Sequence, residues 1–314
     1  MKNLPKIALG AWAWGTGTVG GNQVFGHNLD EKDLKPIFDA AMKNNLNLWD
    51  TATVYGMGAS EDILGSFAKT VDRDKIIIST KFTPQIAGMY ENSMEKMLDA
   101  SLKRLNTDFI DVYWIHNPAD VEKWTPELIP LLKKNKIKSV GVSNHNLAEL
   151  KRANEILQKE NFRVEAVQNH FSLLNRSSET SGILEYCKEN DIKFFAYMVL
   201  EQGALSGKYN TKNPFPEGSD RAKTYNPVLS QLEELTDEMK KIGEKHNLNA
   251  AQVGEVWAIN KGTLPIIGVT KIHHVEDAAK IIDVKLSADE IKTLEKLADK
   301  ANVSTIREWE KKME

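Results

Sequence analysis

The sequence predicts a single (β/α)8 barrel, a closed parallel sheet of eight strands with helices between them, an extra C-terminal helix and a long loop after the seventh strand. Three observations in the 314 residues point there: eight short apolar runs of strand length, intervening stretches with apolar spacing near 3.6, and no Pro/Gly/Ser-rich linker dividing the chain. Length alone suggests about two domains at roughly 150 residues each, but α/β barrels of about 250 residues or more routinely form one. One domain over residues 1–314 is therefore expected, and an open doubly wound sheet with a second domain is the competing architecture.

The strand-like runs fall at residues 7–11, 46–49, 75–80, 109–115, 137–142, 166–168, 193–197 and 264–269. Between them, spacings such as Met94, Met97, Leu98, Leu102 and Leu105 put one apolar stripe on a helix. Asn146 three residues before Glu149, and Ser287 three before Glu290, have the form of capping boxes, the second opening an extra helix over 287–299. The stretch 200–225 carries Gly203, Gly207, Pro214, Pro216 and Gly218 with little periodicity, and such a long loop is expected to close over a ligand. Gly15-Thr16-Gly17-Thr18-Val19-Gly20 matches G-x-G-x-x-G, but no helical spacing follows before Asp30, so it predicts a flexible loop over the barrel mouth, not a phosphate-binding turn.

Composition narrows the function. With 41 Lys plus Arg against 44 Asp plus Glu the formal charge is −3, which supplies no basic face for nucleic acid. The single cysteine, Cys187, excludes an intramolecular disulfide and a thiolate zinc cage and points to a reducing compartment. No signal-type segment or long apolar span is present, so a cytoplasmic protein without a membrane partner is expected.

In a barrel of this type the chemistry collects at the C-terminal strand ends. Asp50 closes the second run with Tyr55 in the loop beyond it, Lys81 closes the third and His116 the fourth. A carboxylate on the neighbouring strand offsets the cost of a buried ammonium, and an ammonium beside a phenol favours its ionised form. Asp50 would keep Lys81 charged and oriented, Lys81 would lower the pKa of Tyr55, and His116 would hold a substrate oxygen. That set delivers a proton to a carbonyl oxygen, while hydride must come from a carrier, because no side chain provides one. Ser143, Asn144 and Gln168 offer the donors and acceptors a carboxamide needs, and the face of Tyr197 suits a flat ring. A metal-dependent hydrolase is disfavoured, since only His116 and Asp50 are well placed and Lys81 would repel a cation.

These residues, read in order, resemble the aldo-keto reductase family through nearly the whole chain. Leu9-Gly10-Ala11-Trp12 resembles its opening strand, Asp50-Thr51-Ala52 with Tyr55-Gly56 and Ser60-Glu61 its first signature, and Ile78-Ser79-Thr80-Lys81 its lysine strand. Gly141-Val142-Ser143-Asn144, Val167-Gln168 and Ala196-Tyr197 with 202–209 follow in the family's order. The resemblance implies NAD(P)H-dependent, reversible reduction of aldehydes or ketones, with Tyr55 as proton donor and Asp50, Lys81 and His116 completing a tetrad. It implies cofactor contacts at Gly10, Ala11 and Trp12, at Ser143, Asn144, Gln168 and Tyr197, along Leu200, Gln202, Ser206 and Lys208, and at Gly268, Thr270, Lys271, His274 and Asp277. It also implies a small carbonyl partner, and a homo-oligomer is possible. The alternative it carries is a regulatory nicotinamide-binding subunit of the channel β-subunit type.

The chain departs from the pattern where an arginine usually meets the adenosine phosphate, leaving Thr270, Lys271 and His274 there. Losing a bidentate guanidinium weakens phosphate selectivity, so NADP is favoured and NAD stays open. Trp14 and Trp114 are expected to wall the substrate pocket; for Trp114, on one strand face with His116, a barrel-core role is an equal alternative.

Overall fold

In the computed structural model, which describes residues 1, 4–90, 94–310 and 313, eight parallel strands close into one barrel in sequence order. They are β1 (Ala8–Gly10), β2 (Leu48–Asp50), β3 (Ile77–Phe82), β4 (Ile110–Ile115), β5 (Ile137–Ser143), β6 (Val164–His170), β7 (Lys193–Tyr197) and β8 (Leu264–Gly268). Closure is made by β1 against β8, with Leu9 opposite Ile267. The predicted runs and the observed strands coincide to within a few residues at each end.

Two apolar layers hold the barrel. Outward-facing residues such as Trp49, Ile78, Tyr113 and Val167 join the helix stripes, including Met97 and Leu98 of the helix Met94–Leu105, in one large buried cluster. Inward-facing residues, Ala8, Leu48, Val112, Trp114, Ala166, Phe195 and Leu264, fill the barrel itself. Side chains alternate faces along a strand, so the inward positions just above this plug are Asp50, Lys81, His116, Ser143, Gln168 and Tyr197. Strand parity alone therefore delivers the predicted site residues to one mouth.

The plug is tight at one point. An added Cβ at Gly141 would lie 2.0 Å from the Trp114 ring, which is also edge-on to Phe195 at 5.1 Å. Gly141→Ala is therefore expected to cost about 1–3 kcal/mol or more through overpacking. Equilibrium denaturation checks this; an unchanged midpoint would mean that Trp114 can relocate.

Both predicted capping boxes form, Asn146 with Glu149 and Ser287 with Glu290, and the extra helix runs over Ala288–Ala301. Two expectations need correction. Stretch 200–225 is not structureless: it holds a 3-10 turn at Glu201–Ser206, a helix at Asp220–Tyr225, and a small core of Ala204, Phe215, Ala222 and Tyr225 against Leu229, Leu232 and Val303. Its Gly and Pro residues punctuate elements of six residues, too short to show as periodicity. Likewise a helix, Gly21–Phe25, does open after the G-x-G-x-x-G run. Yet a Cβ at Gly21 would meet the Gly15 carbonyl at 2.4 Å, and one at Gly20 the Gly56 amide at 2.8 Å, so these glycines serve backbone packing.

Candidate active site at the barrel mouth

Asp50 and Lys81 lie on adjacent strands, β2 and β3, whose register pairs Asp50 with Ser79. Lys81 is fully buried, and its ammonium donates to Asp50 Oδ2 at 2.6 Å and to the Thr51 carbonyl at 2.8 Å. Burial opposes its charge, but Asp50 and Tyr55 outweigh that and hold its pKa above the ordinary 10.5. Asp50 Oδ1 accepts from the Ser79 hydroxyl at 2.7 Å and the Gln168 amide at 3.1 Å, so the carboxylate is fixed on both oxygens.

Tyr55 begins the turn Tyr55–Gly58, and its hydroxyl stands 3.5 Å from Lys81 Nζ, long for a hydrogen bond but within reach of the ammonium's field. Burial pushes the phenol above its ordinary 10.0, Lys81 pulls it down and Asp50 pushes it up. The net direction is upward, the reverse of what the ammonium alone predicts, because desolvation of a phenolate exceeds the pull of one cation already shared with Asp50. Tyr55 is thus a protonated donor at neutral pH.

His116 follows β4, its ring edge-on to Tyr55 at a centroid distance of 5.9 Å. Burial, then Lys81, lowers its pKa well below 6.5, so the imidazole is neutral. Nδ1 lies 3.1 Å from the Thr83 hydroxyl; with Thr83 donating, Nε2–H becomes the donor that remains. Acid, amine, phenol and imidazole therefore converge, as the sequence led us to expect.

The same mouth gathers an amide cluster. Asn144, at φ +60° just beyond β5, spends its amide nitrogen on the His116 carbonyl at 2.9 Å, Asn117 Oδ1 at 3.1 Å and Ser143 Oγ at 3.3 Å. Its oxygen faces the Tyr197 hydroxyl at 2.6 Å, which also lies 2.9 Å from Glu310 Oε1. A phenol brings one proton, so two acceptors share one donor, and the cluster suits a ligand that carries N–H groups. A carboxamide is such a ligand.

A model of the aldo/keto reductase family matches residues 6–299. The chain belongs to that family. Two relatives are each 30% identical: the chloroplastic pyridoxal reductase of Arabidopsis thaliana, over 97% of this chain and 86% of its own length, and the aldo-keto reductase yakc [NADP(+)] of Schizosaccharomyces pombe, over 93% and 89%. Among solved structures, the glycerol dehydrogenase AKR11B4 of Gluconobacter oxydans superposes with a TM-score of 0.81 at 24% identity, covering 98% of this chain and 96% of that one. An aldo-keto reductase from Klebsiella pneumoniae in complex with NADPH gives 0.75 at 23%, covering 94% and 91%. Aldo/keto reductases are NAD(P)H-dependent oxidoreductases, and this chain is an enzyme of that class.

Not every residue expected at an aldo/keto reductase site reaches the mouth. Trp14 is buried between β1 and the outer helices, its indole donating to the Val269 carbonyl at 2.8 Å and its ring 5.0 Å from Trp49, so it is core and not pocket wall. Trp114 lies inside the barrel plug, where its indole N–H meets Ser79 Oγ at 2.5 Å; it supports Asp50 from below. Ala11 faces the outer core, its amide donating to the Asp50 carbonyl and its own carbonyl accepting from the Ser60 hydroxyl and the Trp14 amide. Gly10, two residues after the inward Ala8 and paired with Asp50, stays on the mouth side while its carbonyl takes the Val269 amide at 3.4 Å, and Trp12 just beyond the strand stacks on Tyr55 at 5.7 Å. Gln168 does reach the mouth: it gives one amide hydrogen to Asp50 at 3.1 Å, which leaves its second N–H and its amide oxygen for a carboxamide.

The remaining predicted contacts line the loops after β7 and β8. Leu200 precedes the 3-10 turn and Gln202, at φ +54°, lies within it; there Ser206 Oγ donates to the Gly203 carbonyl at 2.6 Å and accepts the Lys208 amide. Beyond Gly268, the Thr270 amide donates to His274 Nδ1 at 3.2 Å. Burial drops the His274 pKa to about 4, helped by His273, Lys271 and Lys208, so three basic residues from two loops gather around it. Asp277 acts on His274 in the opposite direction, raising its pKa, while its Oδ2 accepts from the Asn249 amide at 3.1 Å at the start of the helix Ala250–Asn260.

Sequence reading missed Ser79, Thr83, His170, Glu201 and Glu310. Ser79 and His170 were findable, each two residues from a recognised site residue on the same strand face. Glu201 and Glu310 lie in a loop and a charged tail, which read as solvated.

Proposed function

We propose that the protein is an NADPH-dependent reductase of small aldehydes and ketones, reversible as an alcohol dehydrogenase, with Tyr55 as the proton donor. The observation that carries this reading is the ordered chain Asp50–Lys81–Tyr55 at the barrel mouth, with a neutral His116 beside the phenol. The nicotinamide supplies hydride when bound. Tyr55 gives its proton to the carbonyl oxygen as negative charge develops there, and the adjacent Lys81 ammonium stabilises the phenolate that remains. His116 positions that oxygen by a hydrogen bond, and Trp12 walls the mouth against the Tyr55 ring. Asn144, Ser143 and Tyr197 would hold the carboxamide and ring, and the turn over Glu201–Ser206 would cover the pyrophosphate.

The reading favours NADPH because Lys208 and Lys271 converge on His274 where the adenosine phosphate belongs, and a cofactor-bound relative of the same fold carries NADPH. Lys271→Ala combined with Lys208→Ala is expected to weaken NADPH binding about tenfold or more, with little effect on NADH. Fluorescence titration with both cofactors checks it, and equal losses for both would assign the lysines elsewhere. The experiment for the function as a whole follows loss of NADPH and NADH absorbance against a panel of aldehydes, ketones and sugars. No oxidation of either cofactor with any carbonyl would overturn the reading. The lone, buried Cys187, its thiol pushed up to about 12 by burial, suits the reducing cytoplasm we propose for it. Among the described residues, no helix is long and apolar enough to cross a membrane.

A further inference from the structure

The C-terminal segment does not leave the barrel after its last helix. Thr305 Oγ1 donates to Glu201 Oε1 at 3.1 Å, and Arg307 reaches Thr224 at 2.9 Å, Gln202 at 3.3 Å and the Tyr225 hydroxyl. Trp309 stands edge-on to Trp12 at 6.1 Å. Glu310 then turns inward until its side chain is only 2% exposed. Its carboxylate accepts from His170 Nδ1 at 3.0 Å, and the other imidazole nitrogen meets Glu201 at 2.8 Å. One imidazole thus joins the tail to the loop that follows β7.

A carboxylate is costly to bury, so a tail that only needed an anchor would have little reason to bury one. Glu310 is also one of the two acceptors competing for the single Tyr197 proton, the other being Asn144 Oδ1. Glu310 also accepts from His170 Nδ1 on both oxygens and from the Arg307 amide at 3.2 Å, so the one proton that Tyr197 shares between Glu310 and Asn144 can be supplemented by an N–H of the proposed cofactor's carboxamide. Glu310 meets Tyr197 at the hydroxyl and His170 stacks on one face of that ring at 5.6 Å.

We infer that residues 305–310 form a strap over the nicotinamide end of the groove, and that Glu310 is a further cofactor-site residue accepting a hydrogen bond from the carboxamide. The inference rests on the reading that Asn144 and Tyr197 hold the nicotinamide. The clasp is also pH-dependent. Burial disfavours the His170 charge, but Glu201 and Glu310 overcome it and lift the pKa to about 9; Tyr197, Tyr225 and Arg307 complete the polar surroundings. Because the folded value lies above the ordinary 6.5, the ionic clasp is fully held below that pH and is lost as pH rises through about 9.

The test is NADPH binding by fluorescence titration and stopped-flow release in the wild type, Glu310→Ala and Asn144→Ala, with melting temperature as a folding control. Glu310→Ala is expected to bind NADPH about tenfold more weakly and release it faster, the loss of roughly one buried hydrogen bond. Wild-type affinity should weaken above about pH 9, while the variant should not respond there. Unchanged affinity in Glu310→Ala would overturn the inference, and tighter binding would overturn it by showing that the tail excludes the cofactor. If Asn144→Ala also binds like the wild type, the nicotinamide reading itself has failed; if only Glu310→Ala does, the strap alone has failed.

Discussion

Tyr55→Phe is expected to slow hydride transfer by roughly two orders of magnitude or more while NADPH affinity stays nearly unchanged. The phenylalanine ring keeps the stack on Trp12 and the edge contact with His116, so the walls of the mouth persist and only the hydroxyl is lost. Without it, the carbonyl oxygen must take its proton from water or from His116, whose neutral imidazole is a weaker acid than the imidazolium it would otherwise be. Single-turnover kinetics with NADPH saturating separates this step from binding. Turnover equal to that of the wild type would remove Tyr55 from the mechanism and leave the tetrad as a structural ion pair.

The second large effect concerns the Asp50–Lys81 pair. Neither side chain is more than 4% exposed, and the pair is closed at 2.6 Å. Asp50→Asn leaves an ammonium buried without a counter-charge and is expected to cost about 3–5 kcal/mol of stability together with most of the turnover. Lys81→Met leaves Asp50 its bonds from Ser79 and Gln168, so it should cost less stability, yet turnover should still fall. The double variant should recover part of the stability lost in Asp50→Asn and none of the activity, which separates folding from catalysis. In Lys81→Met the phenol loses the one group that lowers its pKa, so the alkaline limb of the pH–rate profile should move upward. A profile left in place would mean that Lys81 does not tune Tyr55. The sign for stability is fixed too: the Lys81 pKa is raised above 10.5, so the pair's contribution holds below that value and declines only at still higher pH. Denaturation midpoints against pH, compared between wild type and Lys81→Met, measure this contribution.

The tetrad was legible before any coordinates because parallel strands closed in sequence order put the end of each strand at one rim. Asp50, Lys81 and His116 needed only strand parity and chain order to be placed together. Trp114 shows the limit of that argument. Parity puts it on the inward face with His116, but whether an inward residue fills the barrel or lines the mouth depends on depth, and depth is set by the register between strands. Trp114 is paired with Lys81 and with Gly141, and the missing side chain at Gly141 lets the indole pack inward against Phe195 in the plug.

Local chemistry in the sequence determined the strands, the capped helices, the barrel and which ionisable side chains stand at the strand ends, because period, capping and strand order are written along the chain. Tertiary structure alone decided the direction of the Tyr55 shift, the hydrogen bond from Gln168 to Asp50, and the burial of Glu310 between His170 and Tyr197. Each of those depends on how much water is excluded and which distant groups meet, and neither quantity is written in the spacing of residues along a chain.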